Sequence, residues 1–185
     1  MTNRKILTPA APGALAVTEL KAWLGIATQA EDDQLERLLT SAIEACEAFT
    51  GQMPLIHACE EVLPVAGSFR ALATRPVNTL LGVEGIAADG TRTPLASEDY
   101  AFELDADGSA RLRTIRPGNA GRIAVQFTAG LAPDWAGLPA SIRHGIERLA
   151  SHSWRTRVDD EEDAWTIPPA AVAALWRPYR RMRLQ

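Results

Sequence analysis

The chain has 185 residues, 46% of them hydrophobic and 23% charged, with a formal net charge of −4. That length suffices for one core and a short appendage, and no apolar run approaches the eighteen or so residues of a membrane span. A general nucleic-acid binder is disfavoured by the acidic balance, and Cys46 and Cys59, with no second Cys or His at ligand spacing, make no zinc site.

Residues 1–16 hold Pro9, Pro12 and Gly13 among small side chains and show no period, so they read as an extended or mobile arm. Arg4 and Lys5 are followed by no apolar segment long enough for a secretory signal, which places synthesis in the cytoplasm. Thr18 is read as the N-cap of a short helix, Glu19 to Leu24, with Leu20, Trp23 and Leu24 on one face and Gly25 stopping it.

From Ala30 to Gly51 the pattern is sharper. Leu35, Leu38, Leu39, Ala42, Ile43, Cys46 and Phe49 recur at offsets of three and four, which makes an apolar stripe on a helix. Glu36, Arg37, Thr40, Glu44 and Glu47 fall on the opposite side. Glu31, Asp32 and Asp33 load the first turn, where the helix dipole favours negative charge, and Gly51 stands where a left-handed cap is cheapest. Residues 17–51 therefore read as a helical hairpin.

The character changes at Met53-Pro54, and residues 54–129 read as strands and turns. Val77 to Ala87 forms one strand, and Tyr100, Phe102 and Leu104 alternate with polar or small residues in another. Asp107-Gly108 turns the chain into Ala110 to Ile115, and Pro117-Gly118-Asn119 turns it again before Ile123, Val125 and Phe127. Pro139 opens a helix over residues 139–157, carrying Ile142, Ile146, Leu149 and Ser153, with Arg143 and Arg148 outward. Asp159 to Asp163 is a run of five carboxylates that reads as a solvated loop. Pro168-Pro169 opens a short helical pattern through Val172, Leu175 and Trp176, which Pro178 ends. The fold class is α+β: a helical hairpin and C-terminal helices with a small inserted antiparallel sheet. The expected division is an arm (1–16), a single domain (17–157), and an acidic loop with a C-terminal arm (158–185).

No catalytic set emerges. His144 with Glu147 lacks the second His of a zinc-protease helix, and His144 and His152, two turns apart, could share a face but are not joined by the carboxylate or Cys that would make a paired metal site. Ser141 and Ser151 lack the Gly-x-Ser-x-Gly elbow, and no turn glycine is followed by the Lys-Ser or Lys-Thr of a phosphate loop. No metal or cofactor is expected. The C-terminal residues are more informative. Trp176, Arg177, Tyr179, Arg180, Arg181, Met182 and Arg183 combine the residue types enriched in interface cores. Three readings fit them: a frayed basic tail, an arm that orders on a partner, or a contact with a nucleic-acid backbone.

The order of these motifs resembles the head–tail connector (adaptor) family of long-tailed phages and phage-derived gene transfer agents. Thr18-Glu19-Leu20-Lys21-Ala22-Trp23-Leu24 is similar to the family's short first helix. Asp32-Asp33, the apolar stripe and Glu47-Ala48-Phe49-Thr50-Gly51 are similar to its long helix. Arg75-Pro76-Val77, Asp89-Gly90, Tyr100 and Val125 to Gly130 fall where members with an inserted sheet carry similar residues. Leu138-Pro139, His152, Arg155-x-Arg157 and the Pro-rich run into a basic end complete the likeness. Departures are Leu131 after Gly130, where an aromatic often stands, and the acidic run 159–163.

The resemblance implies a non-enzymatic subunit of a homo-oligomeric ring, dodecameric in the family, seated between portal and tail in the particle neck after assembly in the bacterial cytoplasm. Its expected partners are further copies of itself, the portal protein and a neck or tail stopper or terminator protein, with DNA passing through and no membrane contact. Trp176, Arg177, Tyr179, Arg180, Arg181 and Arg183 would form the portal-docking arm, and Glu36, Arg37, Glu44 and Glu47 the ring wall or channel. The alternative is a nucleic-acid-contacting accessory protein that uses the Arg-rich tail.

Overall fold

The computed structural model describes residues 4–156 and 168–180. The chain divides into two compact units, Met1–Pro9 with Ile56–Gly130 and Ala10–Leu55 with Leu131–Gln185. The first is built of strands and the second of helices.

The sheet unit contains β1 (Arg4–Thr8), β2 (His57–Pro64), β3 (Arg70–Ala71), β4 (Val77–Ile86), β5 (Arg92–Pro94), β6 (Tyr100–Leu104), β7 (Ala110–Thr114) and β8 (Arg122–Ala129). They form a five-stranded sheet in the order β1-β2-β8-β4-β5 and a three-stranded sheet in the order β3-β7-β6. All the strand pairs are antiparallel. The central place of β8 follows from its composition. Ile123, Val125 and Phe127 are buried as the alternation requires, and Ala124 and Ala129 are buried too. Burial at consecutive positions, Ile123, Ala124 and Val125, marks a strand covered on both faces. Phe127 stands between Cys59 of β2 and Leu80 of β4, and Val125 between Glu61 and Val83. Asp107-Gly108 makes the expected hairpin turn: the Gly108 amide donates to the Asp105 carbonyl at 2.9 Å, and the Ser109 amide to the Asp107 carboxylate at 2.7 Å.

Two buried carboxylates punctuate this unit. Glu61 accepts the Ala73 and Thr74 amides at 2.9 and 2.8 Å, which satisfies a turn that no ladder reaches. Glu60 takes both guanidinium nitrogens of Arg92, at 2.7 and 3.0 Å, and the Gln126 amide at 3.2 Å. This fork and the neighbouring positive charge hold the Glu60 carboxyl below its ordinary range.

The helical unit contains α1 (Gly13–Leu24), α2 (Asp32–Thr50), α3 (Ala140–Thr156) and α4 (Ala170–Trp176), followed by a single 3-10 turn at Arg177–Tyr179. In α2 the stripe falls as read: Leu35, Leu39, Ala42 and Cys46 are buried, and Leu38, Ile43 and Phe49 are half-buried. Gly51 caps it at φ 72°, and its amide donates to the Glu47 carbonyl at 2.8 Å. Burial pushes the Cys46 thiol up to about 12, so it stays protonated and inert. Across from the stripe lie Ala16, Val17 and Leu20 of α1, Ile142, Ile146 and Leu149 of α3, and Val172 and Trp176 of α4. Lys21 ties α1 to the first turn of α2 through Asp32 at 2.6 Å.

Several expectations are corrected. Residues 1–16, expected as an extended or mobile arm, are extended at Arg4–Thr8 but as a strand paired with β2, and α1 already begins at Gly13. A five-residue edge strand is too short to show a period, and α1 begins on Pro12 without a side-chain cap, so neither leaves a signal. Thr18 is inside the helix, where its hydroxyl donates to the Ala14 carbonyl at 2.8 Å. Trp23 is 49% exposed and does not share the burial of Leu20. Arg143 does not point away into solvent; its guanidinium lies 3.9 Å from Glu19. One sheet was expected and two are present.

Candidate interaction surfaces

Three residues of the C-terminal segment, Trp176, Tyr179 and Arg180, hold it within the helical unit. Trp176 is fully buried and its indole N–H donates to the Ile142 carbonyl at 3.3 Å. Its ring also meets Phe49, with centroids 6.0 Å apart. Tyr179 is half-buried; its hydroxyl lies 3.0 Å from the Ser141 hydroxyl, and its carbonyl accepts the Gln52 side-chain amide at 2.5 Å. The Arg180 guanidinium sits 5.3 Å from the centroid of the Phe49 ring, within cation–π range. The reading of Trp176 as a docking residue is therefore corrected. Two apolar neighbours at Val172 and Leu175 place it on the inner face of α4, and a ring of that size is worth more in the core. Arg177 is exposed. Arg181 and Arg183 lie outside the described residues, as does the acidic run 159–163.

On α2 the polar face presents Glu36, Arg37, Thr40 and Glu44 to solvent, with Glu47 half-buried. Asp33, Arg37, Ser41 and Glu44 line a shallow depression along it. The helix spacing that buries Leu35, Leu39, Ala42 and Cys46 puts these residues on the other side. They form a mixed-charge stripe, not a single-sign field.

Near the start of α3 a carboxyl cluster comes together that the sequence did not reveal. Trp135, buried, donates its indole N–H to Glu19 at 2.8 Å, and Arg143 approaches the same carboxylate. Glu147 lies beside them, with His144 Nδ1 3.8 Å from its carboxylate. Partial burial, a hydrogen bond with Glu19 and the nearness of that carboxylate raise the Glu147 carboxyl above its ordinary value. The residues come from three separate stretches of chain, which is why spacing could not show the cluster. Among the described residues no group of three or more His, Cys, Asp and Glu is placed to hold a metal ion, and no helix is long and apolar enough to cross a membrane.

Comparison with known proteins agrees with this architecture. Residues 15–67 match the family described as Phage gp6-like head-tail connector protein. No curated protein sequence matches the chain. Over nearly its whole length the fold is similar to a chain of the structure described as the neck of an empty GTA particle computed with C6 symmetry. That likeness has a TM-score of 0.80 and 25% identity, over 98% of this chain and 97% of the other. A chain of the virion of a native gene transfer agent (GTA) particle gives a TM-score of 0.75 at 26% identity, over 98% and 97%. A chain of the neck of a native GTA particle computed with C12 symmetry shares the fold, with a TM-score of 0.73 at 24% identity over the same shares. The likeness thus has two parts: residues 15–67 match the head–tail connector family in sequence, and nearly the whole chain shares the fold of chains in gene-transfer-agent neck and virion structures.

Proposed function

We propose that this chain is a structural connector of the head–tail junction in a phage-like particle of the gene-transfer-agent kind. It is a ring-forming subunit, dodecameric as the resemblance implies, with no enzymatic activity. The ring sits between the portal and a stopper or terminator protein, and DNA passes through it without sequence-specific contact. The observation that carries this reading is the fold likeness to neck-particle chains over 98% of the sequence.

The chemistry of the chain supports it. An acidic protein repeated around a channel does not grip DNA, which suits passage. Closed rings are built by heterologous contacts, and the alternating Glu36, Arg37 and Glu44 on α2 suit such a wall. The C-terminal arm is anchored as far as Arg180, which leaves Arg177 and the following arginines, Arg181 and Arg183, as the portal-facing part.

The test is deletion of the gene in a particle-producing strain, followed by electron microscopy. Filled heads and separate tails are the expected result. Complete tailed particles of normal activity would overturn the proposal.

A further inference from the structure

Between α3 and α4 runs a groove of about 410 Å³. Arg148 and Arg155 stand seven residues apart on α3, two turns along one face, and both line it. Both are exposed, and neither forms an ion pair among the described residues. Other arginines of the chain are engaged: Arg92 with Glu60, Arg111 with Glu103, Arg116 with Asp99 and Arg143 with Glu19. Ser151 also lines the groove, and its buried hydroxyl has no hydrogen-bond partner among the described residues. One wall is the half-exposed indole of Trp23.

Two guanidiniums about 10 Å apart along a helix, with no ion pair among the described residues, a hydroxyl without a described partner and an aromatic wall suit a segment carrying several carboxylates. Guanidinium forks bind carboxylates two bonds at a time. This chain carries such a segment: Asp159, Asp160, Glu161, Glu162 and Asp163, with Trp165 two residues further on and no basic residue from 158 to 169. Without that run the formal net charge would no longer be negative. Resting on the ring reading above, we propose that the α3 groove of one copy receives the acidic run 159–163 of the neighbouring copy. Every subunit then gives one run and accepts one, as a heterologous ring contact requires.

The test uses full-length chains and mass measurement in solution. A groove-reversed chain carries Arg148→Glu and Arg155→Glu; a run-reversed chain carries Asp160→Lys, Glu161→Lys and Glu162→Lys. Each alone should weaken self-association by roughly tenfold or more, with the thermal midpoint kept. An equimolar mixture of the two should assemble, because each groove then meets a run of opposite sign. The milder Arg148→Gln with Arg155→Gln should weaken assembly to a lesser degree and covers the case in which reversal harms folding. Groove-reversed or Gln-substituted chains that assemble as the wild type would overturn this contact while leaving the ring intact. So would variants that mixing does not rescue; their grooves would face a different partner, phosphate backbone included, or their own chain's run. A wild-type chain that stays monomeric, alone and beside its portal, would overturn both the contact and the ring.

Discussion

The indole of Trp176 fills the space in which a side chain at position 145 would begin, so Gly145 and Trp176 are a fitted pair. Glycine in the middle of a helix ordinarily costs about 1 kcal/mol relative to alanine. Here its absent Cβ lets α4 settle on α3, and the indole N–H reaches the Ile142 carbonyl one turn back.

Gly145→Ala should therefore destabilise the chain, by about 1–3 kcal/mol of overpacking less the helix gain. Trp176→Ala should cost roughly 3–5 kcal/mol. In a Trp176→Leu background the alanine at 145 should become neutral or stabilising. Urea midpoints of the four chains give the coupling directly. A stabilising Gly145→Ala in the otherwise native chain would contradict the packing.

Glu147→Gln should stabilise the fold at neutral pH. Because its folded-state carboxyl titrates above the ordinary range, the fold favours the protonated form. Its contribution to stability is greatest below the ordinary carboxylate range and declines as pH rises through the raised value. The glutamine chain should show a smaller decline, and the two chains should converge below about pH 4. Thermal midpoints across that range check it.

Arg92→Ala should destabilise the fold, since among the hydrogen bonds described above it leaves the buried Glu60 carboxylate with only the Gln126 amide. Glu60 lies below its ordinary range, so its contribution is present above that range and is lost as pH falls through the depressed value. Removing Arg92 should shrink the acid-side loss of stability that Glu60 causes, so the variant and the native chain should draw together as pH falls. Chemical denaturation at neutral and acidic pH would register both effects.

Cutting the chain after Ala174 removes Trp176 and Tyr179 and should unfold the helical unit. Ending it after Arg180 removes no described contact and should leave the thermal midpoint unchanged. The shorter cut is therefore the one that isolates portal docking, and portal binding by the chain ending at Arg180 should be weakened. If the tail instead served DNA, affinity measured on the full chain would fall steeply with salt. The expected curve is flat.

What the sequence made legible was whatever repeats on one element. The α2 stripe, the Asp107-Gly108 turn and the α3 face all follow from a period of 3.6 or from turn chemistry confined to a few residues. Features that depend on a partner far along the chain left no such mark. β1 exists because β2 offers it an edge, with Ile6 set against Cys59. Glu19 meets Trp135 across more than a hundred residues. The aromatic and Arg content after Ala174 suggested a surface, although the spacing of Val172 and Trp176 already set that ring on the buried side of α4.

Neither unit is a contiguous piece of chain, since the path changes from one to the other after Pro9, Leu55 and Gly130. A ribosome therefore completes neither one early. The five-stranded sheet lacks its middle member until β8 is made, so β2 and β4 emerge with unsatisfied edges. The α2 stripe waits longer, for α3 and then Trp176. The sheet unit can close once Gly130 is made, whereas the helical unit stays open until α3 and Trp176 follow.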